Sequence, residues 1–236
     1  MYKFHFFLFL NLLILCTVQG QSKVLYLIPG QGSDGALFQN LELDSVEVRI
    51  LEYTLPSKGA SMAEYAHQMA EQIDTCGRFS ILGVSLGGML AVEMDKFLDP
   101  EEIILIASAK TRQEIPRLYR SFQKVPIYKI IGGRSIIFWT WILQPIMEPL
   151  DKSDQKLWRR MLKAKDPVFM KRVIACIVEW ENEYYDVEKV YHIHGERDRT
   201  LPIDPIQNPI VISGGTHIMT LTRGAEISAI VNALID

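Results

Sequence analysis

Cysteine is scarce. The 236 residues hold three, of which Cys16 falls in an N-terminal apolar run while Cys76 and Cys176 stand far apart. That spacing excludes a disulfide-stapled scaffold and a zinc site of paired cysteines, so both thiols are expected to be buried. No metal and no cofactor is implied. Charge of one sign is also lacking: 25 Lys and Arg stand against 28 Asp and Glu, a formal net charge of -3. No stretch concentrates basic residues enough for a nucleic-acid surface. The most basic stretch, 156–172, interleaves Lys156, Arg159, Arg160, Lys163, Lys165, Lys171 and Arg172 with apolar residues. It reads as the solvated face of one or two helices, with an anion or membrane contact as the alternative. Repeats, low-complexity tracts and long linkers are absent too.

What is present is the composition of an ordinary folded protein, 48% hydrophobic and 22% charged. The length suits one substantial core and is tight for two. Nothing in it indicates an oligomeric state. The first residues differ in kind. Lys3 precedes a nearly unbroken apolar run over 6–18, interrupted by Asn11, and Val18-Gln19-Gly20 then offers a cleavage site before Gln21. That run is short for a membrane span. Residues 1–20 are therefore expected to be a signal peptide that exports the chain to a periplasmic or secreted location, with no stable membrane span once it is removed. The alternatives are an uncleaved N-terminal anchor and lipid attachment at Cys16, where Leu15 is larger than lipoprotein processing usually accepts.

Strand and helix then alternate. Apolar runs predict strands over 24–28, 79–84 and 103–107, and alternation predicts another over 46–53. Ser61 can cap a helix over 61–73, in which Met62, Tyr65, Met69 and Ile73 recur at helical spacing, and a second helix is expected over 89–98. This pattern describes an α/β protein with a largely parallel sheet covered on both faces. Over 110–187 no strand is expected; helical periodicity and bulky aromatics dominate, with a helix over 168–180 after Asp166-Pro167. Strands resume at 190–194 and 209–212, and a helix over 225–235 closes the chain. The expected organisation is a core of 21–109 and 188–236 interrupted by a helical lid, 110–187, over the carboxyl ends of the strands.

Gly83-Val84-Ser85-Leu86-Gly87-Gly88 fits G-x-S-x-G at the junction of a strand and a helix. A serine at the tip of such a turn sits in strained backbone, and flanking glycines allow strand and helix to approach closely. A serine hydroxyl needs an adjacent base, itself oriented by a third group. His67 falls on a helix, and His192 and His194 share one side of a strand, where packing or loop support is their expected role. His217, in a glycine-bearing loop before the last helix, is the candidate base. The orienting acid is expected after the preceding strand, where Asp198 leads and Glu196 and Asp204 compete. The loop Pro29-Gly30-Gln31-Gly32-Ser33-Asp34-Gly35 can aim backbone N–H groups inward, and the N–H groups of Gln31 and Leu86 are the candidate oxyanion donors. Gly30, Gly32 and Gly35 also match G-x-G-x-x-G, with Glu52 as the acidic residue that a dinucleotide site would need, a weaker reading.

Together, Pro29-Gly30-Gln31-Gly32, the turn around Ser85, His194-Gly195 through Asp198, and Gly215-Thr216-His217 resemble the α/β-hydrolase superfamily, and specifically small serine hydrolases with a helical cap. The resemblance spans nearly all of the chain after residue 20. It departs from the pattern at Pro29, where many members have histidine, and between Asp198 and His217, where a helix is expected to shrink to a turn around Asp204-Pro205. The resemblance implies a Ser85–His217–Asp198 triad, an acyl-enzyme and a small-molecule acyl substrate, a carboxylic ester first. Acyl transfer with the same residues and a non-catalytic binding module are the alternatives. Phe138, Trp139, Trp141, Trp158, Phe169 and Trp180 are candidate walls of an apolar pocket, although any one of them can equally pack the lid onto the core.

Overall fold

A computed structural model describes residues 23–235. The expected signal peptide, Cys16 included, lies outside the described residues. The sheet has six strands, β1 (Val24–Ile28), β2 (Glu47–Ile50), β3 (Phe79–Val84), β4 (Ile103–Ile106), β5 (Val190–Gly195) and β6 (Ile210–Ile212). They are ordered β2-β1-β3-β4-β5-β6, and every adjacent pair is parallel. All residues of β3 and β4 are buried, which is why both read as unbroken apolar runs. β2 falls within the strand expected over 46–53 and is shorter. It lies at the sheet edge and all four of its residues are exposed, so its alternating pattern marks no buried face.

The chain leaves β1 for β2 on one side and returns to β3 on the other, with Leu27 registered against both Ile50 and Leu82. The order therefore reverses between β1 and β3. In an open parallel sheet, the crevice beyond the carboxyl ends at such a reversal is where ligands bind.

Helix α1 (Met62–Ala70) starts at a capping box in which Ser61 accepts from the Glu64 N–H and the Glu64 carboxylate accepts from the Ser61 N–H. Helix α2 (Leu86–Met94) begins directly after Ser85, earlier than its periodicity suggests. All nine of its residues are buried, and a helix buried all round shows no amphipathic period.

Residues 110–187 contain no strand. They form α3 (Arg117–Ser121), α4 (Gly133–Met147), α5 (Lys152–Lys163) and α6 (Pro167–Glu179). Asp151 caps α5, and Asp166 caps α6 with Pro167 in its first turn. The two ends of this helical segment are clasped where they leave the sheet. The Arg112 N–H donates to the Asn182 carbonyl and the Asn182 side chain to the Lys110 carbonyl, each at 2.7 Å. Trp180 Nε1 donates to Glu93 Oε1 at 2.7 Å, fixing the end of α6 to α2. The chain closes with α7 (Met219–Thr222) and α8 (Gly224–Ile235). Between Asp198 and Ile210 the backbone makes turns and no helix, in line with the shortened segment expected there. Cys176 is buried as expected, whereas Cys76 lies at the surface. Among the described residues no helix is long and apolar enough to cross a membrane.

Candidate active site

Ser85 occupies the tip of the β3–α2 turn with φ of 53°, a left-handed conformation costly for a non-glycine residue. Its neighbours hold it there. The Ser85 N–H donates to the Ile106 carbonyl at 3.0 Å, and the Ser108 hydroxyl donates to the Ser85 carbonyl at 2.6 Å. A Cβ on Gly83 would strike the backbone of Gly87, and one on Gly87 would strike the carbonyl of Ile28. Glycine at these two positions is what lets β3, α2 and the loop after β1 converge on one point.

His217 bridges Ser85 and Asp198. Its Nε2 lies 3.0 Å from Ser85 Oγ and its Nδ1 lies 2.7 Å from Asp198 Oδ2. Asp198 is buried, and its Oδ1 accepts from the N–H groups of Thr200 and Leu201, each at 2.8 Å. A carboxylate only accepts, so the proton of a neutral His217 sits on Nδ1 and the Nε2 lone pair faces the serine hydroxyl. Burial pushes the His217 pKa down, but the charge and hydrogen bond of Asp198, helped by Glu148, outweigh it and leave the group above its ordinary value.

The competing acids go elsewhere. Glu196 Oε2 accepts from the Gly214 N–H at 2.8 Å and the Ser213 hydroxyl at 3.1 Å, clamping the loop that carries His217. Asp204 is exposed. The two loops are also joined through backbone, with the Arg197 N–H donating to the Gly215 carbonyl at 2.8 Å. Of the remaining histidines, His67 is exposed and stacks on Phe97.

Gln31 and Leu86 flank the serine from the two sides of the topological reversal. Neither backbone N–H has an acceptor among the described residues, and Leu86 is the first residue of α2, where the helix dipole adds partial positive charge. The loop that carries Gln31 passes close by, since a Cβ on Gly30 would sit 3.5 Å from Ser85 Cβ. The same loop runs into a single 3-10 turn at Gly35–Phe38. A dinucleotide site would need a full helix opening there to cradle phosphate, and Glu52 is exposed on the surface.

A cavity of about 410 Å³ opens onto Ser85 and His217. The core contributes Gln31 and Met89, and the helical segment contributes Tyr119, Leu143, Trp158 and Ile177. Of the six aromatics expected to wall a pocket, Trp158 alone lines it. Phe169 and Trp180 are buried in the core, and Phe138, Trp139 and Trp141 face outward at 54%, 56% and 41% exposure. A smaller hollow beside Asp95 and Lys189 contains none of these groups.

Two features carry no sequence motif. Glu148 projects into the cavity from the end of α4, 4% exposed, and its Oε2 has no hydrogen-bond partner among the described residues. Burial raises its pKa, an effect partly offset by His217. The second feature is a buried chain of side chains behind Asp198. His194 Nε2 lies 2.8 Å from the Leu201 carbonyl and 3.5 Å from Asp198 Oδ2. Both of those atoms only accept, so His194 Nε2 must carry the proton and its Nδ1 must accept. His192 Nε2 lies 3.0 Å from that Nδ1 and 3.4 Å from the Ser108 backbone N, which donates to it, and His192 Nδ1 lies 3.2 Å from Lys110 Nζ. Lys110 also donates to the Gln207 carbonyl at 2.6 Å and pairs with Glu114 at 3.0 Å, both charged side chains being buried. These contacts form a continuous buried chain from the Lys110 ammonium to Asp198. Burial, reinforced by Lys110, keeps His192 far below the ordinary imidazole range, so it stays neutral.

No family model matches the chain, and no curated protein matches it in sequence. Solved structures do match. A thermophilic esterase from Thermogutta terrifontis superposes with a TM-score of 0.68 at 13% identity, covering 91% of this chain and 89% of its own. MenH from S. aureus gives 0.68 at 14% identity, covering 93% and 95%. An N-acyl homoserine lactone degrading enzyme gives 0.64 at 16% identity, covering 92% and 94%. With its six-stranded parallel sheet wrapped by helices, this chain has the α/β-hydrolase fold.

Proposed function

We propose that the protein is a serine hydrolase that cleaves carboxylic esters through an acyl-enzyme. One observation carries this reading: His217 spans Ser85 Oγ at 3.0 Å and Asp198 Oδ2 at 2.7 Å, at the mouth of an apolar cavity. His217 takes the Ser85 proton as Oγ forms a bond to the acyl carbonyl carbon, and the electron pair of the carbonyl moves onto its oxygen. The N–H groups of Gln31 and Leu86 receive that oxyanion; one such donor is typically worth about 3–4 kcal/mol of barrier. The carbonyl re-forms, the alkoxide leaves with the proton from His217, and water activated by the same imidazole releases the acid. Solved structures of similar fold include esterases from Thermogutta terrifontis and Exiguobacterium antarcticum, which agrees with this substrate class. Water and an alcohol differ only in what attacks the acyl-enzyme, so acyl transfer is the second outcome of the same machinery.

Residues 1–20 belong to the same proposal as a signal peptide that exports the enzyme. A panel of p-nitrophenyl esters of increasing acyl length tests the function. Turnover is expected with the native chain and a loss of roughly 10⁴-fold or more with Ser85→Ala. Equal turnover by the two proteins would reject it.

A further inference from the structure

Helix α4 lies at the surface yet turns aromatic and aliphatic side chains outward. Its inner face turns Thr140, Leu143, Gln144 and Met147 toward the cavity. Its outer face turns Phe138, Trp139, Trp141, Ile142 and Ile146 to solvent at 39–65% exposure. Positions 138, 142 and 146 succeed one another four residues apart, with Trp139 on one flank and Trp141 on the other, so the patch is continuous. A surface helix of a water-facing protein carries polar residues outward, and a large contiguous apolar patch in their place marks an interaction surface. The patch is also concentrated: ten of the eighteen large hydrophobic residues exposed on the described chain lie between 118 and 146.

Charge decides what covers it. Residues 110–187 carry fifteen Lys and Arg against nine Asp and Glu, a net charge of +6, in a chain of net charge -3. The remaining residues therefore carry ten against nineteen, a net charge of -9. Arg134 is exposed on α4 itself, and the Arg159 guanidinium sits 4.7 Å from the Trp141 ring centroid, so cations border the aromatics. Tryptophan and long aliphatic side chains bordered by arginine suit the boundary between phosphate headgroups and acyl chains. We infer that the outer face of α4 docks on an anionic phospholipid bilayer. The negative remainder is repelled by such a surface while the helical segment is drawn to it, which fixes the orientation of the molecule. A second copy of the same face would oppose +6 with +6. Val24 opens β1 at the end of the sheet opposite the carboxyl ends that the helical segment covers. The surface needs no chemistry at Ser85, and docking brings the bilayer within one helix diameter, about 10 Å, of the cavity.

The test uses the full chain with vesicles containing acyl-brominated lipid. Trp158 and Trp180 are buried, so quenching reports Trp139 and Trp141. Quenching is expected with mixed phosphatidylglycerol and phosphatidylcholine vesicles, about tenfold or more weaker binding to phosphatidylcholine alone, and loss of quenching in the Trp139→Phe, Trp141→Phe double variant despite unchanged vesicle binding. A Phe138→Ser, Ile142→Ser variant is expected to lose quenching of both tryptophans while keeping the native rate on a water-soluble ester. Vesicle binding without quenching would overturn the inference, because the chain would then be held by residues before 23. A tryptophan blue shift that grows with protein concentration in the absence of lipid would also overturn it, by identifying a second copy as the occupant.

Discussion

The sheet and the helical segment are built on opposite principles. The sheet side, 21–109 and 188–236, carries a net charge of -10, buries β3 and β4 completely, and supplies Ser85, Asp198 and His217 from the carboxyl ends of its strands. The helical segment carries +6, leaves Phe138, Trp139 and Trp141 outside, and supplies most of the apolar cavity wall. One part fixes atoms to within a hydrogen bond, and the other shapes what reaches them. Mutations on the sheet side should therefore alter the chemical step or the fold. Mutations in the helical segment should alter proton affinity, substrate range and surface behaviour.

The largest effect that would sharpen this division is expected from Asp198→Asn. The amide would favour the wrong imidazole tautomer, and kcat should fall by about 10⁴-fold with the fold intact by circular dichroism. Glu196→Gln, which alters a loop clamp, should cost less than about tenfold. Equal losses in the two variants would break the assignment of roles within this loop.

Next comes Lys110→Met, at the root of the buried chain. It strands the Glu114 carboxylate, and removing one partner of a buried pair typically costs about 3–5 kcal/mol, readable by urea unfolding. Adding Glu114→Gln should restore most of that stability. If the single variant unfolds at the native midpoint, Lys110 is no part of the support behind Asp198.

The smallest effect concerns the helical segment. His217 must be neutral to act as base, and its pKa is raised, so kcat/KM should climb with pH through a midpoint above the ordinary imidazole value of about 6.5. Glu148 contributes to that elevation, so Glu148→Gln should move the midpoint downward and leave the rate at alkaline pH nearly unchanged. A midpoint that stays in place would mean that Glu148 has no charge-based influence on the base.

Legibility in the sequence followed the range of the interactions. Ser85 was readable because strand, turn and helix are contiguous, so local pattern makes local structure. His217 followed from chain order. Asp198 stood among competing carboxylates of the same chemical type, and only the fold sends one to the imidazole and another to the Gly214 N–H. The start of α2 was missed because a helix buried on all sides has no period to read. The direction of Trp139 and Trp141 is not legible for a related reason, since a helix with apolar residues on both its inner and outer faces does not announce which one meets solvent. The link from Lys110 to His192 joins residues 82 positions apart, and no spacing rule reaches that far.

The most direct test of the central claim is labelling of the folded protein with a fluorophosphonate, followed by peptide mapping. The phosphorus should be attacked by Oγ with loss of fluoride, giving one adduct on Ser85 that is absent from Ser85→Ala and strongly slowed in His217→Ala. An unlabelled Ser85 in correctly folded native protein would contradict the account.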